Sequence, residues 1–536
     1  MRTISLKVQM RMQALRILVV TTSMLALVVS GQLVLAQSRE MHPGPLPRPM
    51  TSPGPPLYKL EDGFLEWPLP SGDETYSAID GRHLLKYVVE QATISDRYRD
   101  QGHPQFWGRI TGTSADAEDA QWLADKFRRI GLSDVKAQPF DLPPQWLPQS
   151  WQIRARSGDT TLQLDASAQP AYLCPGTPPA GLDVEAVWAG TGSEADFVGR
   201  NVRGKAVFMF AMPLPGSMHD TLVAEGALKR AWQKGAAAVF DVIALPGNMR
   251  NQLYPQAATK SFPATHIINI PIFALGMEDG YAIRDMIGKA PADQPPHVKI
   301  RLAVNFVPKL KTYTVWGTLP GATDETIYVM AHRDGWFEGA TDNASGVATM
   351  LGLAEYFAKV PQARRRRTMI FLGTAGHHNN SEPSNDDLVA RRNELFSKTA
   401  LFINSEHTST LQTYFYGEGI RQTNTYTAQM WYAGGPTRPK LAEIALRAFR
   451  EFGVPTYYQP EQPPPPSDMW SFWRYVPGVE VNDFNMYFHT DGETPEKVPW
   501  TGLEASTRAY ARIIDEVNKL DLGDLRRPPE PPAAPQ

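Results

Sequence analysis

The stretch Ala331-His332-Arg333-Asp334-Gly335, continued shortly afterwards by Gly339-Ala340-Thr341-Asp342-Asn343-Ala344-Ser345-Gly346, decides how this chain is read. It lies between the run Thr326-Ile327-Tyr328-Val329-Met330 and a segment in which Val347, Met350, Leu351, Ala354 and Phe357 recur at helical spacing. A short β-branched and apolar run fills a buried strand, and the later spacing places one apolar stripe along a helix. The pattern is therefore strand end, loop and helix start. His332 and Asp334, two apart at a strand terminus, share a face, so the carboxylate can hold the imidazole's orientation from behind. Asp342 stands at the helix entrance, where exposed backbone N–H groups favour an ionised carboxylate. An oriented His and an ionised Asp at the carboxyl edge of a buried strand suit a divalent metal. His-x-Asp is also common without one, and Asp-Asn before a helix is often only a cap, so spacing alone leaves both readings open.

Working outward, 536 residues with 42% hydrophobic content are enough for more than one core. A net charge of −3 gives no basic field for nucleic acid. The single cysteine, Cys174, excludes internal disulfides and an all-thiolate zinc site, and reads as a packed hydrophobe. Arg2, Lys7, Arg11 and Arg16 precede an apolar run over 17–29, and Val34-Leu35-Ala36 offers small residues where a signal peptidase reads. Residues 1–36 are thus expected to be a signal peptide, and the protein secreted or periplasmic, with no membrane association after cleavage. An uncleaved N-terminal membrane anchor is the alternative. Residues 37–75 read as a proline-rich linker and 526–536 as a proline-rich tail, and 461–466 as a proline-rich loop.

Between linker and tail, strand and helix patterns alternate. A helix beginning at Ser114 carries Ala120, Leu123, Phe127 and Ile130 on one face and ends at Gly131, with a strand over 135–140. Strands over 184–188, 206–210, 236–240 and 270–274 surround a helix over 222–234. Further on come strands over 368–374 and 400–404, helices over 386–396, 440–452 and 503–520, and an element over 479–488. Such alternation implies a mostly parallel sheet covered on both faces. No Gly-x-Ser-x-Gly elbow supports a serine hydrolase.

His332-x-Asp334 followed by Gly339-Ala340-Thr341-Asp342-Asn343-Ala344-Ser345-Gly346-Val347-Ala348 resembles the signature of the M28 metallopeptidases, the co-catalytic zinc family of aminopeptidases and glutamate-carboxypeptidase-like proteins. The resemblance implies a three-layer αβα domain with a mostly parallel mixed sheet. More loosely, Asp196-Phe197, Val202-Arg203-Gly204-Lys205 and Lys234-Gly235-Ala236 resemble the turns of a protease-associated domain, a β-rich α+β insertion best read as a structural lid. The expected division is 76–183 and 306–525 for the peptidase domain, with 184–305 inserted.

By the same resemblance His332 binds one zinc ion, Asp342 bridges, Glu406 takes the position usually held by Asp or Glu, and His489 binds a second ion. The chain departs from the pattern at the family's Glu-Glu pair. Aligning 367–372 with the preceding strand brings His377 and His378 onto it, where the first Glu serves as general base and the second as ligand. His378 is then the fifth ligand and His377 the candidate base, with Asp334 supporting the cluster; Glu338, Glu382 and Glu493 are alternative bases. One or two zinc ions are compatible with the reduced carboxylate count. The expected activity is exopeptidase hydrolysis of peptides or small amide conjugates, and the alternative is a catalytically weak or inactive binding scaffold. Oligomeric state, a dimer included, is not set by these motifs.

Overall fold

The computed structural model describes residues 68–526 except 215–219, 246, 256–267, 380–381, 417–418, 427–428, 433–437, 455, 460–464, 466 and 483–484. The expected signal peptide, nearly all of the linker, the tail beyond residue 526 and most of the loop at 461–466 lie outside the described residues. No described helix is long and apolar enough to cross a membrane.

Two eight-stranded sheets organise the chain. The first runs, edge to edge, Thr456–Gln459, Gln429–Tyr432, Gly478–Asn482, Thr399–Ser405, Thr326–His332, Thr368–Thr374, Lys311–Leu319, Ser133–Asp141. Its four middle strands, from Gly478–Asn482 to Thr368–Thr374, are mutually parallel, and antiparallel pairings enter on both sides. Helices cover both faces, so the strands read as continuous apolar runs. Ile327, Val329, Ala331, Leu401 and Ile403 pack on one side against the helices Gly81–Asp100, Gly346–Ala358, Pro439–Glu451 and Trp500–Val517. On the other side Tyr328, Met330 and Phe402 meet Leu388, Phe396, Met469 and Phe472. The helix Ser114–Ile130 buries Ala120, Leu123 and Phe127 as its spacing requires, and stops at Gly131, whose φ of +95° only glycine adopts freely.

The second sheet takes in residues that the sequence pattern assigns to the first domain. It begins at Gln145–Ser157, a long strand paired antiparallel with His297–Val307, and continues through Leu182–Trp188, Ala206–Ala211, Ala238–Ile243 and Ile272–Leu275. The reason is register: Trp151, Ile153 and Ala155 point into the same core as Val298, Ile300 and Leu302, while polar residues between them face solvent. Cys174 is fully buried in this core, and burial pushes its thiol up to about 12, as suits an inert packed residue.

Candidate metal centre

The carboxyl ends of the parallel strands supply the site. His332 ends the strand Thr326–His332, and Asp342 lies in the loop before the helix Gly346–Ala358. His377 and His378 form the turn just after Thr368–Thr374, Glu406 follows Thr399–Ser405 directly, and His489 lies on the loop beyond Gly478–Asn482. Parallel strands covered by helices leave their carboxyl ends as the natural crevice, so five positions scattered along the chain meet at one edge. All five expected ligands are buried there.

Asp342 is at the centre, and its two oxygens divide the cluster. Oδ1 lies 3.2 Å from His332 Nε2, which itself stands 3.3 Å from Glu406 Oε1. Oδ2 lies 2.9 Å from His378 Nε2 and 2.9 Å from His489 Nε2. Two donors bound to one zinc ion in a tetrahedron stand about 3.3 Å apart; the His332 pairs have that spacing, and the Oδ2 pairs, at 2.9 Å, are closer. His407, which the sequence reading passed over although it directly follows Glu406, brings Nε2 to 3.2 Å from Asp342 Oδ1.

The charges agree with such an occupant. Asp342 Oδ1 accepts no hydrogen bond although it is buried. Burial opposes ionisation of Asp342, yet the imidazoles around it, His378 and His407 foremost, hold its carboxyl well below the usual range. Glu406 is likewise held to about 2, with His332 overriding burial. Burial drives His489 down to about 3, which leaves its imidazole neutral, the form a metal needs. His332 goes the other way, its neighbouring carboxylates outweighing burial, so that in the protein alone a proton there supplies part of the countercharge that a dication would replace.

Supporting groups fix these side chains. His332 Nδ1 is 3.1 Å from the Asp334 backbone oxygen and 3.5 Å from its Oδ1. The other Asp334 oxygen, Oδ2, is 3.4 Å from His378 Nδ1 and accepts hydrogen bonds from the His378 backbone N–H and from Thr111 Oγ1, each at 3.1 Å. Glu493 accepts from the backbone N–H of Asp342 at 2.6 Å and of His489 at 3.0 Å. Both of its oxygens are thus occupied by structure, which leaves it poorly placed as a base. Arg109, wholly buried, donates to the carbonyls of Arg333, Glu338 and Gly339 and so pins the loop between His332 and Asp342.

The second sheet reaches into the site as well. The segment 249–254, which follows its strand Ala238–Ile243, lies along the His489 loop: Gln252 N–H donates to His489 O at 2.9 Å, and Arg250 Nε is 3.1 Å from Asp491 Oδ2. Tyr254 Oη donates to His378 O at 3.3 Å and accepts from Trp336 Nε1, and its ring lies 5.2 Å from that of His489. None of these contacts carries a sequence signal, because each joins segments far apart in the chain.

His377 lies partly buried beside the cluster. Its ring stacks on His332, centroids 4.2 Å apart and planes within 12°, and its Nδ1 is 3.1 Å from Asp468 Oδ1. Burial and the adjacent His332 oppose its protonation, but Asp468 overrides both and holds it at about 9 in the protein alone. Glu382 groups with His377 and Asp468, and burial with Asp468 nearby pushes its carboxyl up to about 7. Glu338, partly buried, is raised to about 7 chiefly by burial.

Residues 314–514, which hold all of these candidate ligands, match the sequence model of peptidase family M28. Over this segment the chain is M28-like. The matched segment includes Asp342, at the centre of the cluster. Aminopeptidase YwaD of Bacillus subtilis (strain 168) is 26% identical over 265 residues, a match that covers 49% of this chain and spans about half, 50%, of that relative. The structure of BSAP, a zinc aminopeptidase from Bacillus subtilis, superposes with a TM-score of 0.57 at 18% identity, covering 83% of this chain and 98% of that one. A peptidase M28 precursor from Shewanella amazonensis SB2B gives 0.59 at 17% identity, covering 86% and 100%. At these identities the two structures show a common fold.

Proposed function

We propose that the chain is an exported, zinc-dependent exopeptidase that hydrolyses peptide or small amide bonds. The observation that carries the reading is the division of the Asp342 carboxylate between two sets of donors, His332 with Glu406 and His378 with His489. These residues would hold one ion or two. Bound zinc polarises a scissile carbonyl and makes water a nucleophile near neutral pH. The protein's own part is to keep the donors buried and oriented, through Asp334 and Glu493, and to handle protons. In this reading His377 takes the place of the family's glutamate base, accepting a proton from the attacking water and passing it to the leaving amine. Insertion of the second sheet between parts of the peptidase domain, with its turn motifs, supports reading it as a protease-associated domain. The basic and apolar N-terminal stretch supports export; N-terminal sequencing should find a mature start near Gln37.

A second reading rests on the same departure. With His377 and His378 on the Glu-Glu positions, Asp342 and Glu406 are the only carboxylates among the five candidate ligands, as in a scaffold that keeps its pocket and has lost its chemistry. Metal analysis together with a panel of aminoacyl and peptide substrates separates the two. The expected result is at least one zinc per chain, hydrolysis by the wild type, and a loss of ~10²–10⁴-fold in His377→Ala. If zinc binds while neither the wild type nor the His377→Glu, His378→Glu double variant cleaves any substrate, the scaffold reading replaces the enzyme.

A further inference from the structure

His377 does not stand alone. Asp468, 2% exposed, presents Oδ1 to His377 Nδ1 at 3.1 Å, and the same oxygen accepts a hydrogen bond from Asn385 Nδ2 at 2.8 Å. An oxygen already accepting from an amide N–H is held as an acceptor, so the hydrogen of the His377 contact belongs to Nδ1. In the neutral imidazole the lone pair is then on Nε2, the nitrogen able to accept a proton. The ring's second constraint is the stacking on His332, which keeps it against the metal-facing wall. A ring nitrogen of His377 falls, with donor atoms of His332 and Glu406, in a group all within 4.8 Å of one another. Asp468 is fixed in turn: it precedes the helix Met469–Phe472, whose Met469 and Phe472 are packed into the core against Phe402.

We infer that Asp468 is a positioning residue that holds His377 in the tautomer and orientation of a proton acceptor, so that a His–Asp pair does the work of a single carboxylate base. The inference rests on the hydrolase reading above. In the step it serves, a water oxygen bonds to the scissile carbonyl carbon while one water proton passes to Nε2. That proton then goes to the leaving nitrogen as the C–N bond breaks, and both His377 and Asp468 end as they began. The same arrangement of carboxylate behind imidazole serves the serine hydrolases, where losing the correct tautomer costs about 10⁴-fold in kcat.

The zinc-loaded full chain is the test object. Asp468→Asn and Asp468→Ala should lower kcat by ~10²–10⁴-fold while KM and zinc content stay within about twofold of wild type, and Asp468→Glu should restore part of the loss. Imidazole added to His377→Ala should raise its rate. Two results overturn the inference: an unchanged kcat in Asp468→Asn, or zinc lost in step with activity, which would make His377 a ligand oriented by Asp468. If the wild type cleaves nothing, the hydrolase reading fails separately, and ¹⁵N NMR of histidine-labelled protein still decides the positioning. An Nδ1-protonated His377, assigned by its absence in His377→Ala and mixed with the other tautomer in Asp468→Ala, supports it; an Nε2-protonated His377 in the wild type overturns it.

Discussion

Asp334 stands behind two imidazoles at once, His332 through its backbone and Oδ1 and His378 through Oδ2. Spacing in the sequence pointed only to the first of these, since His378 arrives from another strand. Groups that orient metal-bound histidines typically set affinity by ~10–100-fold, so Asp334→Asn should weaken zinc binding by that factor in a chelator competition, with the folded content by circular dichroism unchanged. The same limit explains what was legible at single residues. His332 and Asp342 stood out as candidates by their own motif, and His378, Glu406 and His489 joined them through the resemblance to the M28 pattern; the fold brings all five together. His407 adjoins one of them and was missed because a second polar residue after a strand carries no mark of its own. Asp468, Arg109 and Tyr254 matter through contacts that only the folded chain brings about.

Among the elements, the parallel core was readable because its strands are buried on both faces and alternate with amphipathic helices. The long antiparallel pair of Gln145–Ser157 and His297–Val307 was not, because the sequence shows an alternating strand but not its partner. The meeting of the helix Gly346–Ala358 with the end of Thr399–Ser405 shows how elements set the site. A Cβ on Gly346 would collide with the backbone oxygen of Ser405 and with Asn343 Oδ1. These atoms are next to Glu406 and Asp342, and Asn343 Nδ2 also donates to Ser405 O at 3.0 Å. Gly346→Ala should therefore cost ~1–3 kcal/mol by overpacking, read by denaturant unfolding, and should lower zinc affinity along with stability. Stability lost with zinc affinity intact would show that the strand end and the loop yield independently.

For the molecule as a whole, the two sheets share the work of holding the centre. Zinc at a thousandfold over its dissociation constant adds ~4.1 kcal/mol to folding if the unfolded chain does not bind it, so chelation should lower the unfolding temperature and added zinc restore it. Arg250 tests the part played by the second sheet: it also donates to the carbonyls of Pro104, at 3.2 Å, and Gln105, at 2.9 Å, and so ties the His489 loop to the segment that follows the helix Gly81–Asp100. Arg250→Ala should speed backbone hydrogen exchange over 487–493, with little change in the strands beneath. Unchanged exchange there would mean that Gln252 and Glu493 suffice to hold the loop.

That strap over the last histidine also bears on how such a chain can be cut and rebuilt. A peptidase core trimmed of residues 145–307 would lose the Gln252 hydrogen bond to His489, the Arg250 pair with Asp491 and the Tyr254 contact with His378 in one excision. Grafting a different insertion at the same junctions would do the same unless it carried an equivalent of 249–254. The inserted region is thus less a removable passenger than a splint, and a swap between relatives would have to exchange splint and loop together.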